Sequence, residues 1–75
     1  MNDKLFRTIL KRYEAAIEDA AYKIDIICEQ TLVIPEHIDI TGEIDKLLQI
    51  IAENEDKVAA MRKYYGGKKA DTAIL

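Results

Sequence analysis

The chain has 75 residues, a formal charge of −3 at pH 7, 49% hydrophobic and 33% charged residues, and one cysteine. This length allows one small domain with a marginal core, which commonly needs disulfides, metals or association to be stable. The single Cys28 excludes a disulfide within the chain, and His37 is the only histidine, so we predict neither a metal cluster nor a cofactor. Self-association or a partner protein is the expected source of additional stability.

No secretory signal is evident at the N-terminus, because charged residues interrupt MNDKLFRTIL and KRYE follows it directly. No stretch approaches the roughly 20 apolar residues of a membrane span. We therefore expect a protein that is not secreted and has no membrane span, located in the cytoplasm or within a viral particle. The viral alternative rests only on the small size of the chain.

The first helical pattern is a heptad repeat with alternating steps of four and three residues. It predicts a helix over about 3–30, with Asn2 or Asp3 as its N-cap. Its seam positions are Phe6, Leu10, Tyr13, Ile17, Ala20, Ile24 and Ile27. Four further residues widen the apolar stripe, which suits contact with more than one neighbour: Ile9, Ala16, Ala21 and Cys28.

A second heptad pattern predicts a helix over about 42–65, with Thr41 as N-cap and Gly66 just beyond its C-terminus. Leu48 and Ala52 widen this stripe as well. Its seam positions are Ile44, Leu47, Ile51, Asn54, Val58, Met61 and Tyr65. Asn54 interrupts the apolar seam, so it either fixes the register of association or lies half-exposed on a slightly turned helix.

The connector between the two patterns, TLVIPEHIDIT, is apolar and contains Pro35, which prevents one continuous helix. It either caps the open end of a helix pair or forms short strands with another chain. The predicted fold is an all-α antiparallel helical hairpin over 1–65, of coiled-coil type, followed by a C-terminal tail over 66–75. Apolar surface that the hairpin leaves uncovered predicts a helical bundle, formed with itself or with a partner.

Charge is distributed unevenly along the chain. Residues 1–12 and 61–75 each hold four cations and one acid, giving +3 at each end, whereas 13–60 hold three cations and twelve acids, giving −9. Antiparallel helices bring the two basic segments to one end, where the candidate anion contacts are Arg7, Lys11, Arg62 and Lys63. These cations either meet an anionic partner or simply solvate a helix end.

Carboxylates suggest two candidate metal or acid–base sites, and both have a simpler explanation. Glu36, His37 and Asp39 follow Pro35 in the connector, where a polar turn surface is the usual arrangement. The helical acids avoid the seam positions and are predicted to point outward: Glu14, Glu18, Asp19, Glu53, Glu55 and Asp56. We therefore predict no enzymatic activity.

The final residues, GGKKADTAIL, have the composition of a docking tail. Lys68 and Lys69 would approach an acidic surface, while Ile74 and Leu75 would enter an apolar groove on a neighbour. The expected function is a small non-enzymatic interaction or structural subunit of a larger protein assembly. The alternatives are a nucleic-acid-associated regulator that uses the basic end, and a protein inhibitor or adaptor.

Overall fold

The computed structural model describes residues 1–29 and 39–66. Helix α1 comprises Asp3–Glu29 and helix α2 comprises Ile40–Tyr64, and the two pack against each other as a hairpin. Within the described ranges all regular structure is α-helical, which confirms the predicted all-α fold. The predictions for the connector over 30–38 and for the tail over 67–75 lie outside the described residues.

Helix α1 begins where the sequence predicts, and Asn2 is its cap. The Oδ1 atom of Asn2 accepts a hydrogen bond from the Leu5 amide at 2.8 Å, and the Asn2 carbonyl accepts from the Phe6 amide at 3.0 Å. The first bond satisfies a donor that the first turn of a helix would otherwise leave unpaired, and the second is the first backbone bond of the helix.

Helix α2 begins at Ile40, two residues earlier than predicted, because Asp39 is the N-cap. The Asp39 carboxylate accepts a hydrogen bond from the Gly42 amide at 3.0 Å, and its carbonyl accepts from the Glu43 amide at 3.0 Å. The prediction of Thr41 as the cap is wrong. The Thr41 hydroxyl instead donates to Oδ1 of Asp39 at 3.2 Å, from a position inside the first turn.

Helix α2 ends at Tyr64, where the amides of Tyr65 and Gly66 both donate to the Met61 carbonyl, at 2.9 and 3.0 Å. Gly66 occupies the predicted position after the C-cap, but its φ angle is not positive. A Cβ atom at residue 66 would overlap the ring of Phe6, so a larger residue at this position requires the ring to move.

Two contacts define the register of the hairpin: Phe6 meets Gly66, and Nζ of Lys57 lies 5.5 Å from the centroid of the Tyr13 ring. Each step forward along α1 is a step back along α2 in an antiparallel pair. Continuing the register between these contacts places Leu10 level with Met61, two of the most buried side chains of the hairpin.

The core of the hairpin is thin. Among the described residues only Leu10, Ala20 and Met61 are buried, and Ala20 is the most enclosed, with 1% of its surface exposed. The Cα radius of gyration is 17.0 Å, whereas a compact domain of this length would have about 11 Å. Two helices in contact along one side therefore leave most of each helix surface uncovered.

Candidate interaction surfaces

The predicted seam positions lie where the two helices meet. Leu10, Ala20 and Met61 are buried, and the other seam residues on α1 and α2 are half-buried, Asn54 included. Tyr65 is the exception, because it lies beyond the end of α2 and 57% of its surface is exposed. The heptad spacing predicts Tyr65 in the seam only because the spacing continues one step past the helix, and Tyr65 does not join the packed seam of the hairpin.

The residues predicted to widen the stripe are only partly covered. Ile9, Ala16 and Ala21 on α1 are half-buried, whereas Leu48 and Ala52 on α2 are exposed. Cys28, predicted at the apolar edge of α1, is also exposed. The apolar surface thus extends past the contact between the helices, as the sequence indicates.

The side-chain amide of Asn54 forms a hydrogen bond within its own helix. Its Nδ2 atom donates to the Ile50 carbonyl one turn earlier, at 2.7 Å. The register places Asn54 level with Ile17, an aliphatic residue that offers no side-chain hydrogen bond. The half-buried position and the local bond agree with the second of the two interpretations, a slightly turned helix.

A second row of residues, partly apolar and partly charged, runs beside the seam on each helix, and we call the two rows the flanking stripe. Its members on α1 are Leu5, Ile9, Arg12, Ala16, Asp19, Lys23 and Ile26, and on α2 they are Lys46, Ile50, Glu53, Lys57, Ala60 and Tyr64. Residues three and four apart share one side of a helix, so each set forms one continuous row.

The two rows of the flanking stripe lie on the same side of the hairpin. Ile9 and Ala16 stand one turn before and after Tyr13, and Lys57 of α2 reaches over the ring of Tyr13. Leu5, Ile50 and Tyr64 within this stripe are 47%, 40% and 68% exposed. The sequence interpretation missed Leu5, Ile26 and Ile50, because it followed one heptad stripe per helix and did not test the next.

The candidate anion contacts are exposed at one end of the hairpin. The contact of Phe6 with Gly66 brings the start of α1 beside the end of α2, so Arg7, Lys11 and Arg62 lie at the same end. Lys63 is exposed as well, and its Nζ lies 5.3 Å from the centroid of the adjacent Tyr64 ring. The structure thus brings these four cations to one end, as predicted.

The helical carboxylates face solvent, as their positions off the seam predict. All six candidates are exposed, and Asp19 forms an ion pair with Lys23 of its own helix at 2.9 Å. Within 1–29 and 39–66, no three histidine, cysteine, aspartate or glutamate residues gather as a potential metal site. Glu36 and His37 lie outside the described residues.

In the described part of the chain, neither helix combines the length and apolarity needed to cross a membrane. Comparison with protein-family models, curated proteins and solved structures finds no match to this chain. A function for this protein must therefore be inferred from the surfaces of the hairpin.

Proposed function

We propose that this protein is a small non-enzymatic helical subunit that becomes fully stable by packing its exposed apolar surfaces against other protein chains. The observation that carries the proposal is the thin core of the hairpin, in which three of the described residues are buried. A single core of a chain this small rarely contributes more than about 3–5 kcal/mol even when it is well filled.

The apolar side chains on the surface of the hairpin also support the proposal. Within 1–29 and 39–66, seven large hydrophobic side chains are at least 40% exposed: Met1, Leu5, Tyr22, Leu48, Ile50, Tyr64 and Tyr65. Single exposed apolar residues are common on monomers, whereas contiguous apolar surface marks an interaction site. Leu5 and Ile9 are one turn apart on α1, and Ala60 and Tyr64 are one turn apart on α2, so this surface includes contiguous rows.

We further propose that the tail contributes to this assembly as a docking arm. Lys68 and Lys69 provide charge for an acidic surface of a neighbouring subunit, and Ile74 and Leu75 provide apolar anchors. Each fully buried aliphatic side chain contributes roughly 1.5–3 kcal/mol, which suffices to strengthen an existing contact. The single cysteine is compatible with assembly in a reducing compartment, which we assign to the cytoplasm or to a viral particle formed there.

Thermal unfolding of the full chain, followed by circular dichroism over a hundredfold concentration range, tests the proposal. We expect the midpoint to rise with protein concentration, because association stabilises the folded state by mass action. A chain without residues 67–75 keeps Gly66 against Phe6. It should retain its helicity and show a smaller concentration effect. A cooperative transition that is independent of concentration would show that the chain is a stable monomer and would contradict the proposal.

The second candidate function is binding of nucleic acid at the basic end, which the clustering of exposed Arg7, Lys11 and Arg62 favours. Counterion release would make such binding weaken steeply as salt increases. The acidic pI of about 5.0 opposes it, because basic domains are usual among nucleic-acid-binding proteins. Fluorescence titration of labelled single-stranded and double-stranded DNA at 50 and 200 mM salt decides the question, with Arg7→Gln/Arg62→Gln as the variant.

A further inference from the structure

We propose that the flanking stripe is the dimer interface of this protein and that its occupant is a second copy of the same chain, packed antiparallel about a two-fold axis near Ala16. This inference rests on the proposed function and specifies the partner and the surface. It is carried by the complementarity of the stripe to its own reverse, which appears in both helices.

The row on α1 matches its own reverse at every position except Ile9 and Lys23. Ala16 lies at its centre, Leu5 at one end and Ile26 at the other, so a two-fold axis at Ala16 places Leu5 of each copy on Ile26 of the other. The same operation brings Arg12 of each copy to Asp19 of the other. Opposite charges thus meet on both sides of the axis, and the small Ala16 lets the helices approach closely.

The same two-fold axis also suits the row on α2. The register places Ala16 level with the midpoint between Glu53 and Lys57, so the axis crosses α2 between these two residues. Glu53 of each copy then meets Lys57 of the other, and Ile50 meets Ala60. Opposite charges and apolar side chains therefore face each other on this helix as well.

The arrangement includes one unfavourable element, since Lys23 of each copy faces the aliphatic Ile9 of the other. The ammonium group of Lys23 forms an ion pair with Asp19 of its own helix, at 2.9 Å. In the dimer, Asp19 therefore lies between Lys23 of its own copy and Arg12 of the second copy. Lys23 thus keeps a carboxylate partner at the interface.

The opposite edge of the hairpin is a poorer surface for a second copy. Glu14 and Glu18 lie there on α1 and Glu55 lies there on α2, at nearly the same height in the register. A two-fold axis through the middle of that edge would bring the carboxylates of both copies together, which is costly. Leu48 is its large exposed apolar residue, at 52%, and provides a matched control.

The size of the surface suits a specific dimer. Helix α1 is about 40 Å long at 1.5 Å per residue, and the hairpin is 20 Å wide. The face therefore has an area on the order of 800 Å² per copy, which is that of a standard protein interface. The product is a bundle of four helices in which each hairpin gains a second layer.

Charge reversal tests the interface in the full chain by sedimentation equilibrium, with helicity measured in parallel. Arg12→Asp places like charges at both contacts of the dimer, as does Asp19→Arg, and each should raise Kd about tenfold or more. The double variant should return to within about threefold of the wild type. Residues 12 and 19 are about 10.5 Å apart along one helix, so this rescue cannot arise within a single chain.

Mixing the two single variants provides the decisive measurement. One copy then carries two acids and the other two arginines, so a heterodimer with two complementary contacts should form at near wild-type affinity. If either variant unfolds alone, mixing should restore its helicity. Ile50→Asp should dissociate the dimer, whereas Leu48→Asp should change Kd less than threefold.

The outcomes separate this inference from the proposed function. If the wild-type chain associates but mixing the two variants does not restore their association, the flanking stripe is not the interface, and the proposal of assembly still stands. A poorly folded wild-type monomer that does not self-associate also overturns the interface, because the hairpin then requires a different partner. A stable, fully folded monomer overturns both.

Discussion

Phe6 and Gly66 lie so close together that a Cβ atom at residue 66 would come within 2.8 Å of Cε1 of the aromatic ring. The contact closes the end of the hairpin at which α1 begins and α2 ends. Since the φ angle of Gly66 is not positive, the backbone would accept alanine, and the ring is what opposes it.

We expect Gly66→Ala to destabilise the hairpin by about 1 kcal/mol, because displacement of the Phe6 ring outweighs the 0.4–1 kcal/mol that alanine gains through the unfolded state. Chemical denaturation monitored by circular dichroism measures the change. In a Phe6→Ala background the same substitution should be neutral or stabilising. Additive effects of the two substitutions would show that the ring and the glycine are not coupled.

The cap of α2 gives a second prediction. Asp39→Ala should cost about 1 kcal/mol, because it removes the acceptor for the Gly42 amide. Thr41→Ala should cost less than half as much, since the Thr41 hydroxyl only supports the carboxylate from within the first turn. Thermal unfolding at matched protein concentration compares the two variants. A larger loss for Thr41→Ala would reverse the assignment of the cap.

The seam and the helix ends show which features of the fold can be predicted from the sequence. The heptad spacing placed Leu10, Ala20 and Met61 in the seam, because helical periodicity is a local property that burial then follows. Asp39 and Thr41 are both good cap residues two positions apart, and the chain entering the helix selects between them. Tyr65 was misplaced because periodicity does not indicate the residue at which a helix ends.

The interaction surface was harder to predict for a different reason. Leu5 and Ile50 each lie in a regular row beside the seam, but which rows of the two helices become neighbours depends on contacts such as that of Lys57 with Tyr13. A pattern within one helix cannot specify which rows of two helices become neighbours. The sequence therefore predicts a wide apolar surface, whereas the symmetry of that surface depends on the register between the two helices.

Ala20 tests the tightness of the contact between the helices. It is the most enclosed described residue, with 1% exposed, and the register places it level with Ile51. Ala20→Leu should destabilise the hairpin by about 1–3 kcal/mol, because the added methylene groups force the helices apart. Ala15→Leu at an exposed position of the same helix is the matched control and should fall within about 0.5 kcal/mol of the wild type. Equal denaturation midpoints for both variants would mean that α2 does not pack over Ala20.

A charged substitution at Ile24 tests whether this residue lies in the seam. Ile24→Asp places a carboxylate in the half-buried seam without a partner, and we expect a loss of several kcal/mol that unfolds or dissociates the protein. Glu18→Ala removes an exposed carboxylate and should change stability by about 0.5 kcal/mol or less. Differential scanning calorimetry of both variants at one concentration gives the comparison. Similar thermal shifts would show that the heptad register is incorrect.

Substitution of Asn54 is expected to increase the stability of the hairpin, whereas the substitutions above decrease it. Its side-chain amide donates to the Ile50 carbonyl of its own helix, so replacing it does not leave a buried partner unsatisfied across the seam. Asn54→Leu fills the space level with Ile17 with apolar atoms and should stabilise the hairpin by about 1 kcal/mol, close to the transfer free energy of a partly buried aliphatic group. Urea denaturation measures this gain, and Gln49→Leu at an exposed position serves as the control, with little expected change. If Asn54→Leu instead broadens the transition or changes the mass in solution, then Asn54 specifies the register or partner number. Its local hydrogen bond would in that case be secondary to its role in the assembly.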